Sequence, residues 1–259
     1  MCTIVARKDG QGRLWLVGNR DEAIWRGRAE PPAIRQDGTV LAPRDVDAGG
    51  TWTLVNRAGL AVTLLNDYEA EAAFRTPPEP ISRGTLVAEV GATSDLAAAE
   101  AAVRAAPLSQ IRPFRLLAVD VAGADALEAR WDGEALTIAH PPLPLWRTSA
   151  GFDLEAATAA RAAVAAQTLD ALPHDADSAA TEAAIAAFLT SHSPAKGGLS
   201  ACKHTAIANT VSQTWITVDP AASPRVAMAY VDGAPCEHAR GDWLVLPPDG
   251  SRPRGVSES

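Results

Sequence analysis

Two pairs of apolar segments occupy the first 66 residues, and a short turn-forming sequence interrupts each pair. In the first pair, residues 2–8 alternate between two faces and residues 13–17 are almost wholly apolar, with DGQG between them. This pattern predicts a β-hairpin. A second hairpin is predicted over residues 51–66, and its return strand, residues 60–65, is continuously apolar. Such a strand is typical of a sheet that is covered on both faces.

Further helices and strands are predicted after these hairpins. Helices are expected near residues 82–90, 93–105, 153–169 and 178–189, and strands near residues 114–120, 127–131, 135–139, 210–218, 225–231 and 243–246. A β-rich, α-rich, β-rich order favours two packed sheets with helices outside them. The predicted fold class is therefore α+β, a four-layer α-β-β-α sandwich of two stacked, mostly antiparallel sheets. We expect one domain over residues 1–259, with a flexible tail over about residues 247–259.

Charge and hydropathy narrow the partners that this chain is expected to bind. The formal net charge of −8 disfavours a general nucleic-acid or anionic-membrane surface, which needs clustered Lys and Arg. No apolar run reaches the roughly 18 residues that a membrane helix needs. Arg7, Lys8 and Asp9 are charged where a signal peptide would have its apolar segment. An odd count of three cysteines fits a reducing compartment. We therefore expect a cytoplasmic protein with no membrane insertion.

The hairpin registers bring polar residues together at one end of each hairpin. If Lys8 faces Arg13, then Cys2 lies opposite Asn19, and Arg20 and Asp21 follow directly. By the same reasoning, pairing Val55 with Leu60 puts Asn66 opposite Gly49, beside Gly50 and Thr51. The sequence therefore predicts that the Cys2 thiol meets a polar cluster.

This cluster has a plausible chemistry if Met1 is removed. Cys2 then carries a thiol and a free α-amino group, whose reference pKa values of about 8.5 and about 7.7 to 8.0 suit a nucleophile and a base near neutral pH. Arg20 is expected to lower the pKa of both groups, and Asp21 to orient the ammonium. Asn66, with the backbone N–H of Gly49 or Gly50, is expected to bind a tetrahedral oxyanion. A structural role remains the alternative for these residues: Arg20 and Asp21 would then form an ion pair, and the glycines would permit a tight turn.

The motifs of the chain resemble those of the NRDE-motif family, also called the transport and Golgi organisation protein 2 family. The resemblance rests on MCTIV, GNRDE, GGTWTLVN, AVTLLN and SRGTLV, and further along on PFRLLAVD, CKHTAIANTVSQTW and DGAPC. It implies an N-terminal nucleophile hydrolase fold that is distantly related to cysteine acylases of bile-salt amides and penicillin V. Cys2, Arg20, Asp21 and Asn66 match the catalytic residues of those acylases in type and order. The acylases also use a second asparagine and a further arginine, and neither residue type stands at Thr148-Ser149 or at residues 210–212.

Two functions follow from the residues and the resemblance. The first is a cysteine N-terminal nucleophile hydrolase, an amidase or acylase without a cofactor, that acts on a hydrophobic acyl amide or a related acyl compound. Its predicted catalytic residues are Cys2, Arg20, Asp21 and Asn66, and its predicted substrate-binding residues are Asn19, Gly50, Thr51, Trp52 and Arg83. The alternative, implied by the resemblance, is a non-catalytic carrier of haem or of acyl-CoA or lipid in the same pocket. The candidate haem ligands are Cys2, His140, His174, His192, His204 and His238.

A metal site is also considered, because Cys202 and His204 repeat the Cys-x-His spacing of Cys236 and His238. Pairing Val218 with Arg225 brings His204 near His238. However, zinc sites usually show longer spacings, and a one-residue gap in a strand directs two side chains to opposite faces. We therefore expect no metal, with Cys202 and Cys236 reduced.

Overall fold

The computed structural model describes residues 2–220 and 225–247. Its strands are β1 (Cys2–Lys8), β2 (Leu14–Ala23), β3 (Glu30–Arg35), β4 (Val40–Arg44), β5 (Thr53–Asn56), β6 (Ala61–Asn66), β7 (Phe114–Val119), β8 (Leu127–Trp131), β9 (Leu136–Ala139), β10 (Leu145–Ser149), β11 (Ala208–Asp219), β12 (Arg225–Val231) and β13 (Leu244–Val245). The helices are α1 (Tyr68–Ala73), α2 (Arg83–Gly91), α3 (Leu96–Ala105), α4 (Leu154–Thr168) and α5 (Ser178–Leu189), with a short 3₁₀ turn at Leu108–Gln110. Except for residue 247, the predicted tail lies outside the described residues.

Two antiparallel sheets are stacked between helical layers, as the sequence predicts. The first sheet has the strand order β10-β1-β2-β11-β12-β13, and the second has the order β3-β4-β5-β6-β7-β8-β9. Ile4 and Leu16 face the core between the sheets, whereas Val5 and Val17 face the core under α5. The opposite face of the second sheet packs against α2 and α3, where Val87 and Val103 are buried. The α+β, four-layer prediction is therefore confirmed.

All three predicted hairpin registers are wrong by one residue. Lys8 pairs with Leu14, Val55 with Ala61 and Asp219 with Arg225. The first turn is longer than predicted because Asp9 closes it: its backbone N–H donates to Arg13 O at 3.1 Å, and its side chain accepts from Arg13 N at 3.0 Å. Cys2 consequently lies opposite Arg20, not Asn19.

Four elements were not predicted: β3, β4, β10 and α1. Pro31 and Pro32 lie in β3, and Pro43 lies in β4. Because proline has no backbone N–H to donate to a neighbouring strand, its presence in a sequence argues against a strand. β3 tolerates its prolines because it is an edge strand, paired with β4 alone among the strands of the described residues. β2 also continues beyond the predicted end at residue 17, so Arg20 and Asp21 lie within a paired strand.

The helix starts agree with the capping signals in the sequence. Ser82 Oγ accepts a hydrogen bond from Gly84 N at the start of α2, and Asp95 does the same for Ala98 N at the start of α3. Such caps satisfy backbone donors that the first helical turn leaves free. Within the described residues, no helix is long and apolar enough to cross a membrane.

Candidate active site

Cys2 begins β1 and lies between the two strands that flank it in the first sheet. Its Cα partners are Ser149 on β10 and Arg20 on β2. The backbone nitrogen of Cys2 donates to Ser149 Oγ at 3.1 Å. The backbone N–H of Asp21 reaches the Cys2 sulfur as a hydrogen-bond donor. The thiol and the predicted polar cluster therefore meet, through a register one residue away from the predicted one.

Arg20 is held on the cavity side of β2 by acidic and aromatic neighbours. Its guanidinium donates to Asp45 at 2.8 Å and to Glu22 at 3.1 Å, and it lies 4.6 Å from the centre of the Trp52 ring. The side chain is 6% exposed, so these contacts fix its orientation. Cation–π contact with a partly desolvated guanidinium adds to the ion pairs.

Asp21 is buried on the other side of the same strand. Its Oδ1 accepts a hydrogen bond from Thr210 Oγ1 at 2.6 Å. Burial raises the pKa of Asp21 above its ordinary value, although the nearby charges of Arg161 and Lys203 and the Thr210 hydrogen bond oppose this shift. The carboxyl group of Asp21 therefore binds a proton more tightly than an ordinary aspartate does. This property suits a group that exchanges hydrogen bonds with an amine.

The pKa of the Cys2 thiol is raised, contrary to the expectation that Arg20 lowers it. Burial is the main cause, and the Asp21 charge acts in the same direction. Hydrogen bonding from the Asp21 backbone and the Arg20 charge both favour the thiolate, but burial outweighs them. The sulfur therefore keeps its proton near neutral pH, and attack on a carbonyl requires a base.

A buried arginine reaches the site from α4, where the sequence analysis did not look for one. Arg161 is 1% exposed and donates to Thr3 Oγ1 at 3.1 Å and to Ser200 O at 3.0 Å, as well as to Thr148 Oγ1. Burial lowers the pKa of Arg161, whereas the charges of Asp21 and Cys2 favour its charged form. Arg161 shares its helix face with the buried residues Ala157 and Ala165, but the sequence does not indicate which strand that face reaches.

Lys203 is the second cation that the sequence analysis missed. It is 1% exposed, and burial lowers its pKa while the Asp21 charge opposes the shift. Its backbone N–H donates to Thr210 Oγ1 at 2.8 Å, the hydroxyl that donates to Asp21. Arg161 and Lys203 thus supply the positive charge behind Asp21 that the sequence seemed to lack.

Asn66 ends β6 and contacts Tyr68 at the start of α1. Asn66 Nδ2 donates to the Tyr68 hydroxyl at 2.8 Å. Burial raises the pKa of Tyr68, and negative charge on Cys2 acts in the same direction. The hydroxyl group therefore stays protonated and can donate a hydrogen bond. Tyr68 was missed because the sequence analysis predicted no helix after β6.

A cavity of about 320 Å³ opens above Cys2. Its wall contains all four predicted catalytic residues and four of the five predicted binding residues, together with further apolar and charged groups. The wall residues are Cys2, Arg20, Asp21, Glu22, Arg26, Asp45, Ala48, Gly50, Thr51, Trp52, Leu64, Asn66, Pro80, Ile81, Ser82, Arg83, Gly84 and Arg112. Asn19 is not part of this wall. Its side chain donates to Leu189 O at 2.8 Å and to Ala201 O at 2.9 Å, which joins β2 to the helical side of the first sheet.

Gly49 and Gly50 are adjacent, but glycine is required at each position for a different structural reason. Gly49 has a φ of +72°, and its N–H donates to Asp45 O at 2.8 Å, so this N–H belongs to a turn rather than to an oxyanion site. Gly50 lines the cavity where the backbone of Gly84 approaches it, and a Cβ on Gly50 would lie 2.8 Å from Gly84 Cα. This close approach joins the strand-connecting loop to the start of α2.

Comparisons with known proteins agree with this architecture. The chain aligns with the penicillin V acylase of Agrobacterium tumefaciens over 91% of its length and 92% of that chain, at a TM-score of 0.53 and 15% identity. It aligns with a C2A mutant of the conjugated bile acid hydrolase of Clostridium perfringens over 89% of its length and 88% of that chain, at a TM-score of 0.55 and 11% identity. The Caenorhabditis elegans orthologue of N-acylethanolamine-hydrolyzing acid amidase covers 83% of this chain and 92% of its own, at a TM-score of 0.58 and 13% identity.

These similarities show a shared fold. No curated protein sequence matched the chain. The family model described as Transport and Golgi organisation 2 matches residues 1–138, which include the two predicted hairpins and the residues Cys2, Arg20, Asp21 and Asn66. The chain therefore belongs to the Transport and Golgi organisation 2 family, and its fold is that of the N-terminal nucleophile hydrolases.

Proposed function

We propose that this chain is a cysteine N-terminal nucleophile hydrolase that cleaves the amide bond of an acyl compound. The observation that carries the proposal is the position of Cys2, which lies in the cavity wall while its backbone nitrogen donates to Ser149 Oγ at 3.1 Å. Removal of Met1 would turn that nitrogen into an α-amine already held beside the thiol. One residue then supplies both the nucleophile and the base.

The reaction begins with transfer of the thiol proton to the α-amine of Cys2. The sulfur then attacks the substrate carbonyl and forms a tetrahedral oxyanion. Collapse of this intermediate breaks the carbon–nitrogen bond, and the Cys2 ammonium returns a proton to the departing amine. Water, deprotonated by the same α-amine, hydrolyses the remaining thioester and regenerates the thiol. The raised pKa of the Cys2 thiol supports this sequence, because the thiol does not ionise without the base.

Two side chains are suited to the oxyanion. Asn66 Nδ2 has one N–H engaged by Tyr68 at 2.8 Å and a second N–H for a ligand. The second donor that we propose is the Tyr68 hydroxyl, which contacts Asn66 from outside the described cavity wall and stays protonated because its pKa is raised. Donors fixed before the reaction stabilise the charge that develops on the carbonyl oxygen.

Asp21 and Ser149 position the base. The Asp21 carboxyl is buried and braced by Thr210, and it lies next to the residue paired with Cys2. In this proposal it accepts a hydrogen bond from the ammonium that forms during attack, while Ser149 Oγ fixes the other side of the nitrogen. Arg20, tied to Asp45 and Glu22, orients the substrate.

The wall of the cavity supports an acyl group of moderate size. Trp52, Leu64 and Ile81 offer apolar surface near the sulfur, and about 320 Å³ is enough for a small ligand. The structurally similar proteins are named as a penicillin V acylase, a conjugated bile acid hydrolase and an N-acylethanolamine-hydrolyzing acid amidase, which supports an acyl substrate here.

Hydrolysis of a panel of N-acyl amides of increasing acyl length tests the proposal. We expect turnover for some members, loss of turnover in Cys2→Ala, and loss of most of the rate in Cys2→Ser, because an alcohol is a weaker nucleophile than a thiol. Circular dichroism of both variants checks that the fold is kept. Full activity of Cys2→Ala would refute the mechanism.

The alternative, a carrier of haem or of acyl-CoA or lipid, would use the same cavity. No histidine is among the residues described for its wall, so Cys2 is the axial ligand that a haem carrier would have to use there. Titration of haem and of acyl-CoA into Cys2→Ala separates the two functions. Absence of turnover across the panel, together with undiminished acyl-CoA binding by this variant, would favour the carrier.

A further inference from the structure

Four side chains with metal-binding atoms converge away from the cavity, in the loops around the start of β11 and the end of β12. They are His192, Cys202, His204 and Cys236, and one ligand atom from each lies within 4.8 Å of the others. Cys202 Sγ is 3.5 Å from Cys236 Sγ and 3.5 Å from His204 Nε2. His204 Nε2 is 3.2 Å from Cys236 Sγ. The rings of His192 and His204 have centroids 5.1 Å apart.

These separations are those of a tetrahedral metal site. With metal–sulfur bonds of about 2.3 Å and metal–nitrogen bonds of about 2.0 to 2.1 Å, tetrahedral geometry puts two sulfurs about 3.8 Å apart and sulfur about 3.6 Å from nitrogen. The measured sulfur–sulfur distance is 3.5 Å, and the sulfur–nitrogen distances are 3.5 Å and 3.2 Å. Small outward shifts of the side chains would complete the tetrahedron.

His192 provides an independent observation. Its Nε2 atom is buried and has no hydrogen-bond partner among the described residues. A buried polar atom without a partner is costly, and native structures rarely keep one. Hydrogen bonds among Cys202, His204 and Cys236 account for three members of the cluster and leave this nitrogen unexplained. A bound cation accounts for all four.

The expectation of no metal rested on the ligand spacing and on a strand position for Cys202 and His204, and the structure contradicts the strand position. Cys202 and His204 are not in a strand: residues 201–203 lie in an irregular loop, so the two side chains point toward the same place. The partner of His204 is Cys236 rather than His238, whose Nδ1 lies 3.3 Å from Ala234 O. The spacing looked poor for zinc because the ligands come from three separate segments.

We propose that His192, Cys202, His204 and Cys236 bind one zinc ion in a closed, structural Cys₂His₂ site. Two thiolates and two imidazoles select zinc over hard cations, and four protein ligands leave no position for a reacting water. Binding releases the two thiol protons to solvent, and the two thiolate charges neutralise the dication. This proposal does not depend on the proposed hydrolase activity.

The position of the site suggests what the ion stabilises. Lys203 lies between two ligands, and its carbonyl accepts from Thr210 N at 2.9 Å. Thr210 Oγ1 in turn donates to Asp21 at 2.6 Å. Arg161 also holds this loop, through Ser200 O at 3.0 Å. The ion would therefore fix the loop that supports the buried carboxyl next to Cys2.

Elemental analysis of protein purified without a histidine tag tests this proposal. We expect one equivalent of zinc per chain in the unaltered protein, and its loss in Cys202→Ser and in His192→Ala. Cys2→Ser and His238→Ala are the matched controls, one cysteine and one histidine outside the cluster, and both should retain the zinc. Zinc retained in the ligand variants, or lost equally in the controls, would overturn the assignment.

Cobalt substitution keeps the test decisive if a ligand variant fails to fold. Unaltered protein stripped by a chelator and refilled with Co²⁺ should show the intense visible bands of tetrahedral coordination and the charge-transfer band of thiolate ligands. A featureless spectrum after Co²⁺ addition would refute the site. Mass spectrometry without reductant that finds a Cys202–Cys236 disulfide in freshly purified protein would also refute it, because the oxidised pair cannot supply two thiolates.

Discussion

Buried titratable groups surround the Cys2 sulfur. Burial raises the pKa of Cys2 and of Asp21 and lowers the pKa of Arg161 and Lys203, so each group is pushed toward its neutral form while oppositely charged neighbours oppose the shift. Such opposed shifts in one place are typical of functional sites and cost stability there. Cys2, Arg20 and Asp21 were accessible to sequence reasoning because they are close in sequence on paired strands. Arg161 was not, because nothing local indicates which strand an α4 side chain reaches.

Replacing Asp21 with asparagine should separate stability from function. The folded pKa of Asp21 lies above its ordinary 3.8, so the folded state binds the proton more tightly and stability falls as pH rises through the folded pKa. Asp21→Asn removes the ionised form. We expect it to be at least as stable as the unaltered protein at pH 7, with the difference shrinking toward about pH 4, and to lose turnover. Urea unfolding at both pH values measures this, and a marked loss of stability at pH 7 alone would contradict it.

Removing the Tyr68 hydroxyl should reduce kcat with little change in KM. If the hydroxyl donates to the oxyanion, Tyr68→Phe loses one donor, which typically costs about a hundredfold in kcat. Tyr230→Phe is the matched control, because it removes the other tyrosine hydroxyl of the chain, which interacts with Ser212 instead of the cavity residue Asn66. Steady-state kinetics of both variants decides, and equal effects in the two would remove Tyr68 from the oxyanion site.

Strand pairing carries the site residues to one place, and the turns set which residues face one another. The hairpins themselves were predictable from apolar runs, but their registers were not, because Asp9 and Asn56 bond into their own turns and lengthen them. Edge strands β3 and β10 were missed for other reasons. β10 pairs with β1 from a distant part of the chain, whereas β3 pairs with the neighbouring β4 but contains two prolines.

The start of α2 should not tolerate a side chain at Gly84. A Cβ there would lie 2.9 Å from Thr51 N and 3.0 Å from Gly50 Cα, both backbone atoms that cannot rotate away. Gly84→Ala should therefore cost about 1 to 3 kcal/mol in unfolding free energy and raise KM, since all three residues wall the cavity. Gly197→Ala is the control, because its Cβ would meet only Ala195 O at 3.9 Å. Equal unfolding midpoints for the two variants would contradict the packing argument.

The whole molecule depends on pairing between its two ends. β1 and β2 are flanked in the first sheet by β10 and β11, which come after residue 144, whereas β3 to β9 form the second sheet. The order of β-rich and α-rich segments was enough to predict four layers. It did not indicate that β10 lies on the other side of β1 from β2, because antiparallel neighbours far apart in sequence leave no local pattern.

One cooperative unfolding transition is therefore expected for the full chain. The fragment 1–138, which is the part matched by the family model, should not fold, because β1 loses β10 and β2 loses β11. Unfolding followed by far-ultraviolet circular dichroism should coincide with unfolding followed by tryptophan fluorescence, since Trp15 and Trp215 report on the first sheet and Trp131 on the second. Two separated transitions, or a folded 1–138 fragment, would contradict a single domain.

The claim that Cys2 is an N-terminal nucleophile is tested most directly by intact mass and peptide mapping after reaction with an electrophilic acyl analogue. We predict that purified, active protein begins at Cys2 and gains one reagent, attached to Cys2 and not to Cys202 or Cys236. Cys2→Ala should gain none. Active protein that retains Met1, or labelling that is undiminished in Cys2→Ala, would contradict this role of Cys2.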